Sequence, residues 1–231
     1  MRALIVEHDP LSTPERVGDY LERRGFALEP FIVVDDIGDP EVTVAFPEHD
    51  AFDIVVLMGA PWSAYDPTVQ GWVGPEIDFV GRHLARGTPI LGICFGAQIL
   101  STCLGGLVSP SSRPEYGWGG IESKEPALAT GPWFQFHGDE FTLPEDAIAI
   151  AHNDSGLQAF RHGRSLAVQF HPEVTAPLVE SWCAAGGDKK LVESGIDPGE
   201  LVEETARLAR VSQPALGQMV DWWLNGFDPS D

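Results

Sequence analysis

Cys94 lies in the run Pro89-Ile90-Leu91-Gly92-Ile93-Cys94-Phe95-Gly96-Ala97-Gln98, where an apolar stretch stops at one reactive residue and a helix-forming stretch begins at once. A cysteine placed there suits nucleophilic acyl transfer. A sharp strand-to-helix turn needs small neighbours, and Gly92 and Gly96 flank the sulfur. The turn would present the thiol at the carboxyl edge of a sheet, where open α/β folds place their sites. The start of the following helix adds partial positive charge and a free N–H at Phe95. Elsewhere a free cysteine is more often a small core hydrophobe. That is the expectation for Cys103 and Cys183, which lack such a turn.

A thiol is mostly protonated at neutral pH and needs a base within reach. Leu166-Ala167-Val168-Gln169-Phe170-His171-Pro172-Glu173 is an apolar strand that ends at a histidine, with a carboxylate two residues on. The imidazole can hold the thiol proton and later deliver it to a leaving amine. A carboxylate on its other nitrogen fixes tautomer and direction. The chemistry also needs two N–H donors for a tetrahedral oxyanion. Phe95 offers one, and the small-residue turn Met58-Gly59-Ala60-Pro61-Trp62-Ser63 is the candidate source of the other.

These residues must be carried by a sheet. Arg2–His8, Phe26–Val34, Phe52–Met58 and Pro89–Ile93 read as buried strands. Pro14–Arg24 reads as a helix with Thr13 as N-cap and Pro14 at its first position, stopped by Gly25. Trp72–Arg86 and Phe95–Leu104 are two further helices, stopped by Gly87 and by Gly105-Gly106. The acidic, proline-containing segment Asp35–Asp50 reads as a loop. This alternation predicts an α/β fold with a doubly wound, mostly parallel central sheet and helices on both faces. After Leu107 the pattern changes to short strands at Trp118–Ser123, Trp133–Phe136, Ala147–His152, Leu157–Arg161 and Leu166–Phe170, an antiparallel extension. Pro198–Val211 and Ala215–Leu224 read as C-terminal covering helices.

With 231 residues and 43% hydrophobic content, the chain suits one domain, 1–231, with a substantial core. The longest apolar runs are too short to span a bilayer, and the N-terminus lacks the apolar length of a signal peptide. This points to a cytoplasmic protein. A net charge of −21 disfavours nucleic acid and anionic membrane as partners. Three cysteines without a CxxC pair do not make a disulfide framework. His137, Asp139, Glu140 and His152 match no compact metal motif, so neither metal nor cofactor is expected.

The elbow GICFGAQIL, the segment QFHPEV and the loop MGAPWSAYD together resemble the class I glutamine amidotransferases, in particular the glutaminase domain of GMP synthase and its stand-alone relatives. The resemblance covers roughly residues 1–180, leaving 181–231 as a helical extension. It includes Glu115-Tyr116-Gly117-Trp118, similar to the family's turn after the nucleophile helix. It also includes Phe136-His137-Gly138-Asp139, similar to the segment that closes over the substrate amino acid.

The resemblance implies a flavodoxin-like doubly wound sheet, a Cys94-His171-Glu173 triad and a γ-glutamyl thioester. It implies that Gln98 meets the α-amino and α-carboxylate end of the substrate, with Gly59, His137 and the backbone of Gly138 and Asp139 as further contacts. The family loop usually reads Gly-Gly-Pro. Here it is Gly59-Ala60-Pro61, which makes the N–H of Ala60 the second oxyanion donor. Three readings follow: a glutaminase passing ammonia to a separate synthase subunit, a stand-alone hydrolase of a γ-glutamyl amine or peptide, and a catalytically silent binding module.

Overall fold

The structure, a computed structural model, describes residues 1–47, 52–129 and 131–227. Its first half alternates strands and helices: β1 (Arg2–Glu7), α1 (Glu15–Arg23), β2 (Ala27–Ile32), β3 (Ile54–Leu57), α2 (Gln70–Ala85), β4 (Ile90–Ile93) and α3 (Phe95–Cys103). A strand-rich part follows: β5 (Val108–Gly119), β6 (Glu122–Ser123), the short helix α4 (Pro126–Ala129), β7 (Trp133–Phe141), β8 (Ile148–Asn153), β9 (Gly156–His162) and β10 (Ser165–Val168). The chain closes with α5 (Ala176–Trp182), a π-turn over Cys183–Gly187, α6 (Asp188–Glu193), α7 (Pro198–Val211) and α8 (Gln213–Leu224).

The main sheet runs β2-β1-β3-β4-β10-β9-β8-β6. Its first five strands pair in parallel, and β9, β8 and β6 extend it antiparallel. Side-chain alternation along each strand separates two apolar layers. Ala3, Ile5, Ile54, Val56, Leu91 and Ile93 face one layer, completed by Val17 and Leu21 of α1 and Leu216, Met219 and Val220 of α8. Leu4, Val6, Val55, Leu57 and Ile90 face the other, filled by Val73, Phe79 and Val80 of α2 and Ile99 and Leu100 of α3. The doubly wound, mostly parallel sheet is therefore present, with its antiparallel extension and covering helices.

Three local expectations are corrected. The strand expected over Trp118–Ser123 is split, because Trp118 belongs to β5 and only Glu122–Ser123 joins the main sheet. β5 pairs antiparallel with β7 as a separate two-stranded ribbon, so Glu115–Trp118 is strand, not turn. This ribbon packs on Val179 of α5, Leu191 of α6 and Leu201 of α7 in a third apolar cluster. Thr13 does not cap α1; its hydroxyl bonds Glu15, and the cap position is Pro14 with no side-chain acceptor. The loop expected over Asp35–Asp50 carries no helix or strand as far as Pro47. Residues 48–50 of that loop and 228–231 of the tail lie outside the described residues. Among the described residues no helix is long and apolar enough to cross a membrane.

Candidate functional site

Four parallel strands deliver chemistry to one edge. His8 follows β1, Gly59 and Ala60 follow β3, Cys94 follows β4, and His171 follows β10. This is the crevice outside the carboxyl ends of a doubly wound sheet.

Cys94 occupies the junction between β4 and α3 with φ 50° and ψ −104°, a conformation that non-glycine residues rarely adopt. The turn is held from both sides. Cys94 N–H donates to Val168 O of β10 at 2.8 Å, and Gly96 N–H donates to Met58 O at 3.0 Å. The flanking glycines are steric requirements, as the sequence implied. A Cβ on Gly96 would lie 2.2 Å from Leu57 O, and one on Gly92 would lie 2.6 Å from Gly96 O. Phe95 is the first residue of α3, so its N–H has no acceptor in a preceding turn.

His171 lies beyond the end of β10 and is held by an isolated bridge, its N–H donating to Phe134 O of β7 at 2.7 Å. Its Nδ1 donates to Glu173 Oε1 at 2.7 Å, which leaves Nε2 for the Cys94 sulfur. Trp182 meets the ring edge-on with centroids 5.0 Å apart. Burial alone would lower the histidine pKa. The Glu173 carboxylate and the Cys94 thiolate outweigh it by charge and hydrogen bonding and raise it to about 10. Both neighbours favour the protonated ring.

The segment carrying His171 and Glu173 is gripped from behind by Arg16 of α1. Its guanidinium donates to Pro172 O at 3.3 Å and Val174 O at 3.4 Å, and also to Ser212 Oγ and Gln213 Oε1. Burial pulls the Arg16 pKa down to about 10 against the opposing charge of Glu173.

Cys94, His171, Glu173, Gly59, Ala60 and Phe95 thus come together. A Cβ built on Gly59 would be 3.0 Å from His171 Cε1 and 3.9 Å from Cys94 Cβ. Gln98 sits one turn into α3, buried, with its side-chain oxygen lacking a hydrogen-bond partner. The remaining residues are engaged differently. His137 Nδ1 donates to Asp139 O at 3.0 Å, and its Nε2 lies 3.2 Å from Glu115. The Asp139 carboxylate accepts from Ser63 Oγ at 2.6 Å and Tyr65 Oη at 2.7 Å, tying β7 to the loop after Ala60. Gly138 lies between them in β7.

A cavity of about 250 Å³ opens beside His171 and is lined on one side by Gly59, Ala60 and Pro61. Its other walls include Phe136, Trp182 and Lys190, and none of residues 137–139. The sequence reading missed three contributors. Gln169 Nε2 lies 3.6 Å from Cys94 Sγ; a polar amide at the end of an apolar strand was its only signal. Trp182 and Lys190 come from a stretch without a clear period, where Gly186 has φ 105°.

A family model for class I glutamine amidotransferases matches residues 19–179. The glutamine-hydrolysing GMP synthase of Photorhabdus laumondii is 37% identical over 141 residues, which cover 52% of this chain and 25% of that protein. The corresponding enzyme of Thermus thermophilus is 31% identical over 171 residues, covering 68% and 32%. This chain therefore spans about a quarter to a third of the length of these relatives. A glutamine amidotransferase structure from Thermotoga maritima superposes with a TM-score of 0.82 at 25% identity, over 97% of this chain and 98% of that one. One from Methylobacillus flagellatus gives 0.78 at 20% identity over 100% and 96%, a likeness of fold. Together with the nucleophile-elbow geometry, these findings establish that the chain belongs to the class I glutamine amidotransferase family.

Proposed function

We propose that this protein hydrolyses the side-chain amide of glutamine, or of a related γ-glutamyl compound, through a thioester on Cys94. The observation that carries the reading is the burial, at one sheet edge, of a strained cysteine beside a histidine whose other nitrogen is bound to a carboxylate. Cys94 thiolate attacks the γ-carbonyl carbon, and the N–H groups of Phe95 and Ala60 hold the oxyanion. The C–N bond breaks as His171 gives its proton to the departing nitrogen, leaving the acyl–sulfur bond. Water, deprotonated by His171, then attacks the thioester and releases glutamate and the thiolate. Glu173 holds His171 in the working tautomer throughout. Gln98 and the neighbouring segment His137–Asp139 take the amino-acid end of the substrate.

In the first form of this reading the released ammonia passes to a separate synthase. Its support is the similarity to glutamine-hydrolysing GMP synthases. A second form, a hydrolase of γ-glutamyl amines or peptides, is favoured by the cavity beside His171. Ammonia is about the size of a water molecule, which needs only about 10–15 Å³ of such space, and this cavity has about 250 Å³. Glutamate release should be measured from glutamine and a panel of γ-glutamyl amines, with and without cell extract, alongside mass detection of the acyl-enzyme. Cys94→Ala is expected to abolish release and the acyl adduct. Undiminished release from that variant refutes the proposal, and wild-type protein inert toward every compound supports a silent binding module instead.

A further inference from the structure

The steps above leave one buried ionisable pair without a role. His8 follows β1 and Glu76 lies on α2, both with no exposed surface. His8 Nε2 is 2.9 Å from Glu76 Oε1, and Nδ1 is 3.0 Å from the carbonyl oxygen of Gly59. The same ring packs edge-on against Phe95 with centroids 4.7 Å apart. One side chain thus touches both segments proposed to supply oxyanion donors.

We propose that His8, anchored by Glu76, is a positioning residue that fixes the direction of the Gly59–Ala60 peptide and through it the N–H of Ala60. A peptide carbonyl can only accept, and so can a carboxylate. Nδ1 therefore donates to the Gly59 carbonyl, and with Glu76 ionised Nε2 donates as well, making His8 an imidazolium clamped between two acceptors. Burial opposes that state, while Glu76, the Gly59 carbonyl and Asp9 favour it and win, so the pKa is raised.

The peptide is planar and trans, so its C=O and N–H point in opposite directions. With the carbonyl held by His8, the Ala60 N–H points within the peptide plane to the edge away from His8. Gly59 and Ala60 line the cavity together with His171. Proton sharing with the imidazolium also draws electron density from the amide and strengthens its N–H as a donor. Two buried charges are costly to keep unless they do something hydrophobic packing cannot. Holding a flippable peptide in one orientation is such a task.

This inference rests on the hydrolase reading, and the experiment separates the two. Wild type, His8→Leu, His8→Asn and Glu76→Gln are compared, with folding checked by circular dichroism. His8→Leu keeps the bulk and loses the donor. The amide nitrogen of His8→Asn can stand close to the place of Nδ1. Losing an oxyanion donor outright costs about 10²–10³ in kcat. We expect His8→Leu to lower kcat at least about 10-fold with KM within about twofold, the pattern of a contact made only in the transition state. His8→Asn is expected to recover part of that loss, and Glu76→Gln to give an intermediate kcat. Alkylation of Cys94 by iodoacetamide, which needs no oxyanion hole, should match wild type in all three.

Full kcat in folded His8→Leu overturns the inference and leaves the hydrolase reading standing. So does a loss shared equally by kcat and the alkylation rate, or a loss that His8→Asn does not relieve. Wild type inert toward every γ-glutamyl compound removes both. If His8→Leu does not fold, Glu76→Gln decides: an unchanged kcat there overturns the inference.

Discussion

Gly59→Ala isolates the spacing between the oxyanion loop and the base. The backbone at Gly59 is outside the left-handed region, so alanine brings no torsional strain there. The whole effect is steric, from a methyl 3.0 Å from His171 Cε1. Carbon pairs settle at about 3.5–4.0 Å, so roughly half an ångström or more must be found. The ring has little freedom to give. Its Nδ1 is 2.7 Å from Glu173, its backbone N–H is 2.7 Å from Phe134 O, and Trp182 stands against it. A misplacement of about 1 Å costs about 10²-fold in rate, so a shift of roughly half that size should lower kcat/KM about 10-fold.

Overpacking of this kind costs about 1–3 kcal/mol, and at about 2–4 °C per kcal/mol the Tm should fall by no more than about 12 °C. Gly96→Ala is the contrast. Its methyl would sit 2.2 Å from Leu57 O in the backbone of β3, and the protein is expected to misfold or precipitate. The assay is glutamate release from the best substrate, with iodoacetamide alkylation of Cys94 in parallel. Both rates should fall in Gly59→Ala. If they stay within twofold of wild type, the crowding of His171 by the loop is refuted.

Glu173→Gln removes the charge that keeps the buried His171 protonated. A hydrogen bond to a charged group is worth about 1.5–3 kcal/mol, so kcat should fall by roughly 10- to 150-fold. The His171 pKa should drop from about 10, read by nitrogen NMR titration; an unchanged titration contradicts the assigned cause. Glu7→Gln tests a different carboxyl, one whose pKa burial and Asp9 raise from 4.5 to about 6. The folded state there holds its proton more tightly than the unfolded chain. Stability is thus lost as pH rises from about 4.5 to about 6, and stays lost above. The variant should be stabilised by at most about 2 kcal/mol at pH 8 and not at pH 4, by urea denaturation; an equal gain at both pH values contradicts this.

The sheet and the meeting of its reactive ends were legible because both depend on short-range patterns. The uninterrupted apolar run Ala3–Val6 already marks a strand buried on both faces, and Gly92 and Gly96 announce a turn that excludes Cβ atoms. The ribbon of β5 and β7 was not legible in the same way. The irregularity between Pro110 and Glu115 interrupts its pattern. Asp139 shows a second limit: its residue type implies polarity, but only the fold reveals that Ser63 and Tyr65 claim both oxygens. His8 was read only as the last residue of the first strand, which ends at Glu7. Its partner Glu76 sits inside a helix whose local pattern gives no reason to bury a carboxylate.

Arg16 draws two distant stretches of the chain onto one guanidinium, through Pro172 and Val174 in one and Ser212 and Gln213 in the other. The stretch matched by the family model, 19–179, contains neither Arg16 nor the two residues it reaches in the last helical region. The borders of the family model and of this grip therefore differ in this molecule. A fragment trimmed to the residues of that model would also lose β1 from between β2 and β3. Whoever shortens or fuses this protein should cut by the reach of that one side chain, not by the edges of similarity.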